Sequence, residues 1–209
     1  MFNFTAIDFE TADSIHPCSL GLAVIKDSQV VLEKQWLIKP SCYPYFHYYA
    51  RKIHGISKED VKDKPTFDGL WEEIRPFIEG QIVVAHNSDF DVKVLLHALD
   101  HYHIEKPRFT AYCSCKLARY VWPENAKASL DFLCEQEDIS LDHHQALSDA
   151  KACALLFLKE LAVLDIKDFS ELSKLKVAND TQAKLLKQQH AIARSLRKAM
   201  RIKAAKESL

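Results

Sequence analysis

Three patterns in the chain predict a mixed α/β sheet layered with helices. Three strand-like runs open the sequence, the second and third separated only by Asp27-Ser28. Helical and strand-like segments then alternate, and a long run of helical periodicity follows the last of them.

The elements follow from local residue patterns. Residues 4–8 read as a strand bounded by charge and turn residues. Residues 20–26 and 29–38 read as two more, giving an opening antiparallel meander. Residues 39–54 form an aromatic-rich loop in this reading. Over 65–78, Phe67, Leu70, Trp71, Ile74, Phe77 and Ile78 recur at three and four, the helical spacing. Residues 82–85 are a short apolar strand, and 88–99 a helix capped by Asn87 or Ser88, with Asp89 and Asp91 in its first turn. A strand over 109–115 and a helix over 116–121 come next, then a short helix over 129–135. Residues 146–164 form the longest helix of the body, with Leu147, Cys153, Ala154, Phe157, Leu158 and Leu161 inward. A basic amphipathic helix over 181–206 ends the chain.

Composition narrows the classes. The 209 residues are 48% hydrophobic and 27% charged, with four glycines and seven prolines, which excludes collagen-like and low-complexity chains. No apolar run approaches the ~18 residues of a membrane span, and no secretory signal pattern opens the chain. Six cysteines without a CxxC pair indicate neither a disulfide framework nor a zinc site, and a cytoplasmic location is expected. Cys113-Ser114-Cys115 falls in the strand-like run, where alternate residues share a face.

Net charge is −1 but unevenly spread. Residues 181–209 carry eight Lys/Arg and one acid; the remaining 20 Lys/Arg and 28 Asp/Glu give residues 1–180 a balance of −8. An acidic body does not grip duplex DNA over its whole surface. It fits a metal-dependent site with a separate contact arm.

Asp8 and Glu10 are two apart on the first strand, so both side chains share one face, with Cα atoms about 6.6 Å apart. Phe4 and Ala6 share that parity, which turns the pair toward the core unless the register slips to expose it. Carboxylates beside an apolar core are costly without a neutralising cation. Asp91 sits where a buried strand gives way to a helix, the end of an open α/β sheet at which sites gather. Asp89 reads as a complement to the helix dipole. His144 and Asp149 would lie roughly 140° apart on one helix at ~100° per residue. His144 is therefore expected in the loop before the helix and Asp149 in its first turns. Four carboxylates on separate elements suit two Mg²⁺ or Mn²⁺ ions about 4 Å apart, and a histidine of pKa ~6.5 suits a general base.

Ile7-Asp8-Phe9-Glu10-Thr11, then His86-Asn87-x-x-Phe90-Asp91, then His144-x-Ala146-Leu147-x-Asp149-Ala150 resemble the three motifs of the DEDDh exonucleases. This is the group of the DNA polymerase III epsilon subunit, with an RNase H-like fold. Ile53-His54-Gly55-Ile56 followed by Pro65-Thr66-Phe67 resembles the segment between the first two motifs. The resemblance covers residues 2–164. It implies an exonuclease domain over 1–164 and a basic helical extension over 165–209. It implies Asp8, Glu10, Asp91 and Asp149 as ligands of two metal ions, and His144 as general base. Gln145, four before Asp149, excludes the family's tyrosine variant. Thr11, His54, Asn87 and Phe90 match positions that border the 3′-terminal nucleotide. Phe90 also fits packing beneath its helix, and His54 a loop-stabilising role. Thr11-Ala12-Asp13 departs from the usual Thr-Thr-Gly, and His143 is out of motif register.

The implied activity is 3′→5′ hydrolysis of single-stranded or frayed DNA to nucleoside 5′-monophosphates. A polymerase-bound proofreading subunit and an exoribonuclease are the competing readings. The basic C-terminal helix would dock on the body, on a second copy of the chain or on a polymerase, or would contact nucleic acid.

Overall fold

The central strand of the sheet is the first in the chain, β1 (Phe4–Thr11). On one side it pairs antiparallel with β2 (Pro17–Lys26), which pairs antiparallel with β3 (Gln29–Leu37). On the other it pairs in parallel with β4 (Ile82–Ala85), and β4 with β5 (Thr110–Cys113). The order is β3-β2-β1-β4-β5, a five-stranded mixed sheet flanked by helices, as the patterning predicts. The computed structural model describes residues 1–175. The basic helix expected over 181–206 lies outside the described residues.

The helices are α1 (Tyr48–His54), α2 (Lys58–Val61), α3 (Phe67–Ile74), α4 (Ser88–His101), α5 (Ser114–Val121), α6 (Leu130–Gln136), α7 (Ala146–Val163) and α8 (Phe169–Leu172). Parity along β1 decides which layer each side chain meets. Phe4 and Ala6 pack with Tyr112 and with Ala154, Phe157 and Leu161 of α7. Ile7 and Phe9 pack on the other face with Phe67, Trp71 and Ile74 of α3 and Leu95 and Leu99 of α4. Central β1 and β2 are covered on both faces, whereas edge strand β3 alternates exposed and covered residues. Truncating a side chain as buried as Phe157 costs about 3–5 kcal/mol.

Several expected boundaries move. β1 runs through Thr11, with a register shift between Glu10 and Thr11. The aromatic stretch read as loop contains α1, whose sole buried residue is His54. With no apolar stripe facing the core, its period carries no helix signal; Gly55 in the left-handed region (φ 75) closes it. The helix expected over 65–78 is α3 followed by a 3₁₀ turn at Arg75–Phe77, because Pro76 cannot donate into an α-helical ladder. The strand expected over 109–115 ends at Cys113 and Ser114 begins α5, so Cys113 and Cys115 do not alternate along a strand.

Beyond Leu164 the chain keeps packing on the body. Leu172 is fully buried, and the Phe169 ring stands edge-on to Phe2 at 5.2 Å and stacks on Tyr112 at 5.5 Å. Among the described residues no helix is long and apolar enough to cross a membrane.

Candidate active site

Asp8 and Glu10 face Gly21 and Ser19 across the β1–β2 ladder. Gly21 lets α7 reach the sheet: a Cβ there would lie 2.0 Å from the Ala146 carbonyl oxygen. The first turn of α7 thus rests on bare backbone and carries Asp149 down to the strand. Carboxylate oxygens of Asp8, Glu10 and Asp149 lie within 4.8 Å of one another. Asp91, in the first turn of α4, is buried, and its Oδ1 accepts a 2.9 Å hydrogen bond from the Phe9 amide. Four acids from three separate segments thereby gather at the end of the central strand.

Their protonation reflects that crowding. Burial, then repulsion from Asp91, Asp149 and Glu10, pushes the Asp8 carboxyl well above the usual range. Glu10 is raised to about 8 by burial and by Asp149 and Asp91. Burial also raises Asp91, against the hydrogen bond from Phe9. Asp149 rises to about 6, chiefly by burial. Asp149 Oδ1 is buried with no hydrogen-bond partner among the described residues. An all-oxygen, self-repelling cluster with an orphaned buried acceptor fits hard divalent cations.

His144 lies in the loop before α7 with φ 69, and its backbone N–H donates to Asp149 Oδ2 at 3.1 Å. Its ring stacks on His143 at 3.9 Å, and burial, then His143, lowers its pKa. His143 Nε2 itself stands 3.9 Å from Asp149 Oδ2.

The other residues singled out from sequence are placed less freely. Thr11 is buried, its hydroxyl donating to the Asp13 carbonyl at 2.9 Å. His54 Nδ1 accepts the Ile56 amide at 3.0 Å, so Nε2 carries the proton donated to the Thr11 carbonyl at 3.1 Å. Both ring nitrogens are engaged. Asn87 takes the left-handed conformation (φ 68) that turns the chain from β4 into α4. Phe90 is half-buried against the core of α4. Asp89 pairs with Lys116 at 2.7 Å, bridging α4 and α5. His86 is held between Ser114 Oγ and the Ala128 carbonyl, both at 2.8 Å, with its pKa lowered to about 4 by burial.

Sequence reasoning passed over Gly21, although a glycine inside a strand signals close backbone approach. It also passed over Glu160, on the inner side of α7, fully buried with neither carboxyl oxygen hydrogen-bonded among the described residues. All six cysteines are free. A separate donor group, Asp13, His16 and Cys42, forms at the β1–β2 turn, where Asp13 is already paired with His16 at 2.8 Å.

A sheet of this order with acids gathered at the end of its central strand is the architecture of the RNase H-like nucleases. The RNase_T exonuclease family model matches residues 5–157. The chain belongs to that family. It is 27% identical over 197 residues to a PolC-type DNA polymerase III of Caldanaerobacter subterraneus, covering 90% of this chain and 14% of that one. It is 34% identical over 113 residues to the DNA polymerase III epsilon subunit of Buchnera aphidicola, covering 51% of this chain and 46% of that one. The chain thus spans less than half the length of these relatives. Two solved structures share the fold. Exonuclease X in complex with 5′ overhanging duplex DNA has a TM-score of 0.66 at 24% identity, covering 78% of this chain and 94% of that one. The nuclease domain of 3′hExo, a DEDDh member bound to rAMP, has 0.66 at 14% identity, covering 77% and 92%.

Proposed function

We propose that the protein is a divalent-cation-dependent 3′→5′ exonuclease of single-stranded or frayed DNA that releases nucleoside 5′-monophosphates. One observation carries the reading: Asp8, Glu10 and Asp149 converge to within 4.8 Å, with Asp91 fastened to the backbone between the first two. Asp8, Glu10, Asp91 and Asp149 would hold two Mg²⁺ or Mn²⁺ ions. Cations held there would lower the pKa of a water and offset charge developing on phosphoryl oxygens.

The chain's own groups supply the remainder. The raised carboxyl groups give up their protons as cations bind, so affinity climbs with pH. His144, kept neutral by burial and by His143, accepts the proton of the attacking water. Thr11, Asn87, Phe90 and the turn at His54 border the terminal nucleotide; His54 acts through the Thr11 carbonyl, which it fixes in place. The reduced cysteines suit a cytoplasmic setting.

DNA is favoured over RNA because the relatives named above are DNA polymerase III proteins, which also supports a replicative polymerase as partner. The likeness to a nuclease domain bound to rAMP favours a second reading, an exoribonuclease. Matched DNA and RNA oligomers, labelled at either end, decide between them. The proposal expects immediate release of a 3′ label as mononucleotide, a shortening ladder from a 5′ label, DNA cut faster, and no product in EDTA. Release from the 5′ end or activity in excess EDTA overturns it, and faster RNA cleavage selects the second reading.

A further inference from the structure

The segment joining β3 to α2 has a composition unlike the rest of the body. Residues 39–57 contain no Asp or Glu, yet hold Lys39, Arg51 and Lys52, within a body whose balance is −8 over residues 1–180. Its aromatic residues divide into two sets. Tyr43 and Phe46 are partly buried against Ala12, Cys18 and Val61 and anchor the segment. Tyr45, Tyr48 and Tyr49 are turned outward, 55%, 62% and 67% exposed, beside Ile53 at 54%. Large side chains left in water at this density are not explained by folding.

The placement of these rings gives them a meaning. Both ends of α1 hang on the residues that directly follow Glu10: the His47 amide donates to the Ala12 carbonyl at 2.7 Å, and His54 Nε2 to the Thr11 carbonyl at 3.1 Å. The α1 surface therefore borders the acidic cluster and is rigidly tied to it. With both His54 nitrogens already engaged, this segment offers a ligand its tyrosine faces and its cations instead. Lys52 Nζ sits 5.4 Å from the Tyr48 ring centre, and the Tyr48 and Tyr49 rings lie 5.4 Å apart at 75°.

Resting on the exonuclease reading above, we infer that Tyr45, Tyr48 and Tyr49 with Arg51 and Lys52 form a stacking platform that holds the single-stranded DNA leading into the site. Tyrosine faces stack on any base without reading its edges, and the two cations track the phosphates. A strand held there delivers its 3′ end past Thr11 and Ala12 to the carboxylates while the acidic remainder of the body repels duplex. A protein partner is the competing occupant. The absence of any acid and the presence of three cations favour a polyanion.

The test uses the full chain carrying Asp149→Asn, with Mg²⁺ and a fluorescent oligothymidylate of about fifteen nucleotides, read by anisotropy. Tyr48→Ala/Tyr49→Ala is expected to weaken binding at least roughly 30-fold, and Tyr48→Phe/Tyr49→Phe to restore it, since stacking needs the ring and not the hydroxyl. Arg51→Ala/Lys52→Ala is expected to flatten the slope of log Kd against log salt by about 1.4, at 0.7 per cation on a single strand. Tyr120→Ala, at an exposed tyrosine of α5, is the control and should bind as the parent does. An unchanged Kd in the double alanine variant overturns the platform, as does failure of phenylalanine to restore binding. A change of oligomeric state without a change in Kd overturns it in favour of a protein partner. If the unsubstituted protein degrades DNA while these results go against the platform, the exonuclease reading stands alone. If it neither binds nor degrades DNA, both fall.

Discussion

The carboxylate of Asp91 is hydrogen-bonded to the backbone amide of Phe9, the residue between Asp8 and Glu10. Helix α4 is thereby pinned to the central strand at the point where the acids gather. One side chain serves two purposes, as acceptor for a buried N–H and as negative charge.

Those two purposes are separable by substitution. Asp91→Ala leaves the Phe9 amide unpaired, a loss of about 1–3 kcal/mol, set against relief of repulsion with Asp8 and Asp149. Asp91→Asn keeps an acceptor and removes only the charge. Denaturant melts in EDTA should rank the asparagine variant above the alanine variant, while both lose nuclease turnover by orders of magnitude. Equal stability of the two would show that the hydrogen bond is energetically idle.

The metal-free protein should become less stable as pH rises. Glu10 and Asp149 have folded-state pKa values raised to about 8 and about 6, so the folded chain binds protons that the unfolded chain has released. Their contribution is complete below the ordinary values of 4.5 and 3.8 and is lost as pH climbs through 6 to 8. Melting temperatures in EDTA across that window should fall, and Mg²⁺ should recover them most at the alkaline end. A melting temperature that climbs with pH in EDTA would contradict the electrostatics of the cluster.

His144→Ala should lower turnover roughly 10²–10⁴-fold with cation affinity retained. In the unsubstituted enzyme the rate should climb with pH through the imidazole pKa and then level off, because imidazolium cannot accept a proton. Burial, repulsion from His143 and bound cations all set that pKa below the ordinary 6.5. His143→Ala removes one of those repulsions, so its profile should keep its shape and move slightly upward in pH. Asp89→Ala, which breaks the contact with Lys116 and removes a first-turn acid of α4, should stay active.

Gly21→Ala places a methyl group 2.0 Å from the Ala146 carbonyl oxygen, so α7 must lift from the sheet. Overpacking of this kind costs about 1–3 kcal/mol or more, and here it also withdraws Asp149 from Asp8 and Glu10. A lower melting temperature together with weaker Mn²⁺ binding, read by paramagnetic relaxation, is expected. Loss of stability with normal Mn²⁺ binding would mean that Asp149 does not move with the helix.

Much of this arrangement is legible in the linear sequence. Period-two parity puts Asp8 and Glu10 on one face, and the burial of Phe4 and Ala6 beneath α7 shows which face it is. The five-residue gap between His144 and Asp149 forces the loop-then-helix solution found at Gln145–Ala146. What stayed hidden has physical reasons. Helix α1 buries a single residue, so its apolar side chains follow no core-facing period. The engagement of both His54 nitrogens depends on Thr11 and Ile56, a long-range and a local backbone contact that no motif encodes. Glu160 sits at an inward position where spacing forecasts a hydrophobe, and only the three-dimensional packing reveals it as a buried acid with no hydrogen-bond partner among the described residues.

The acids come from residues 8 and 10, from 91 and from 149, and the last reaches the others only when α7 settles over Gly21. A chain still emerging from the ribosome therefore holds its first two carboxylates long before the fourth exists. The site closes only once α7 has been made and has packed over Gly21. Truncated or nicked products that lack α7 would lack the complete set of acids, so on the nuclease reading proposed above the order of residues along the polypeptide acts as a safety catch.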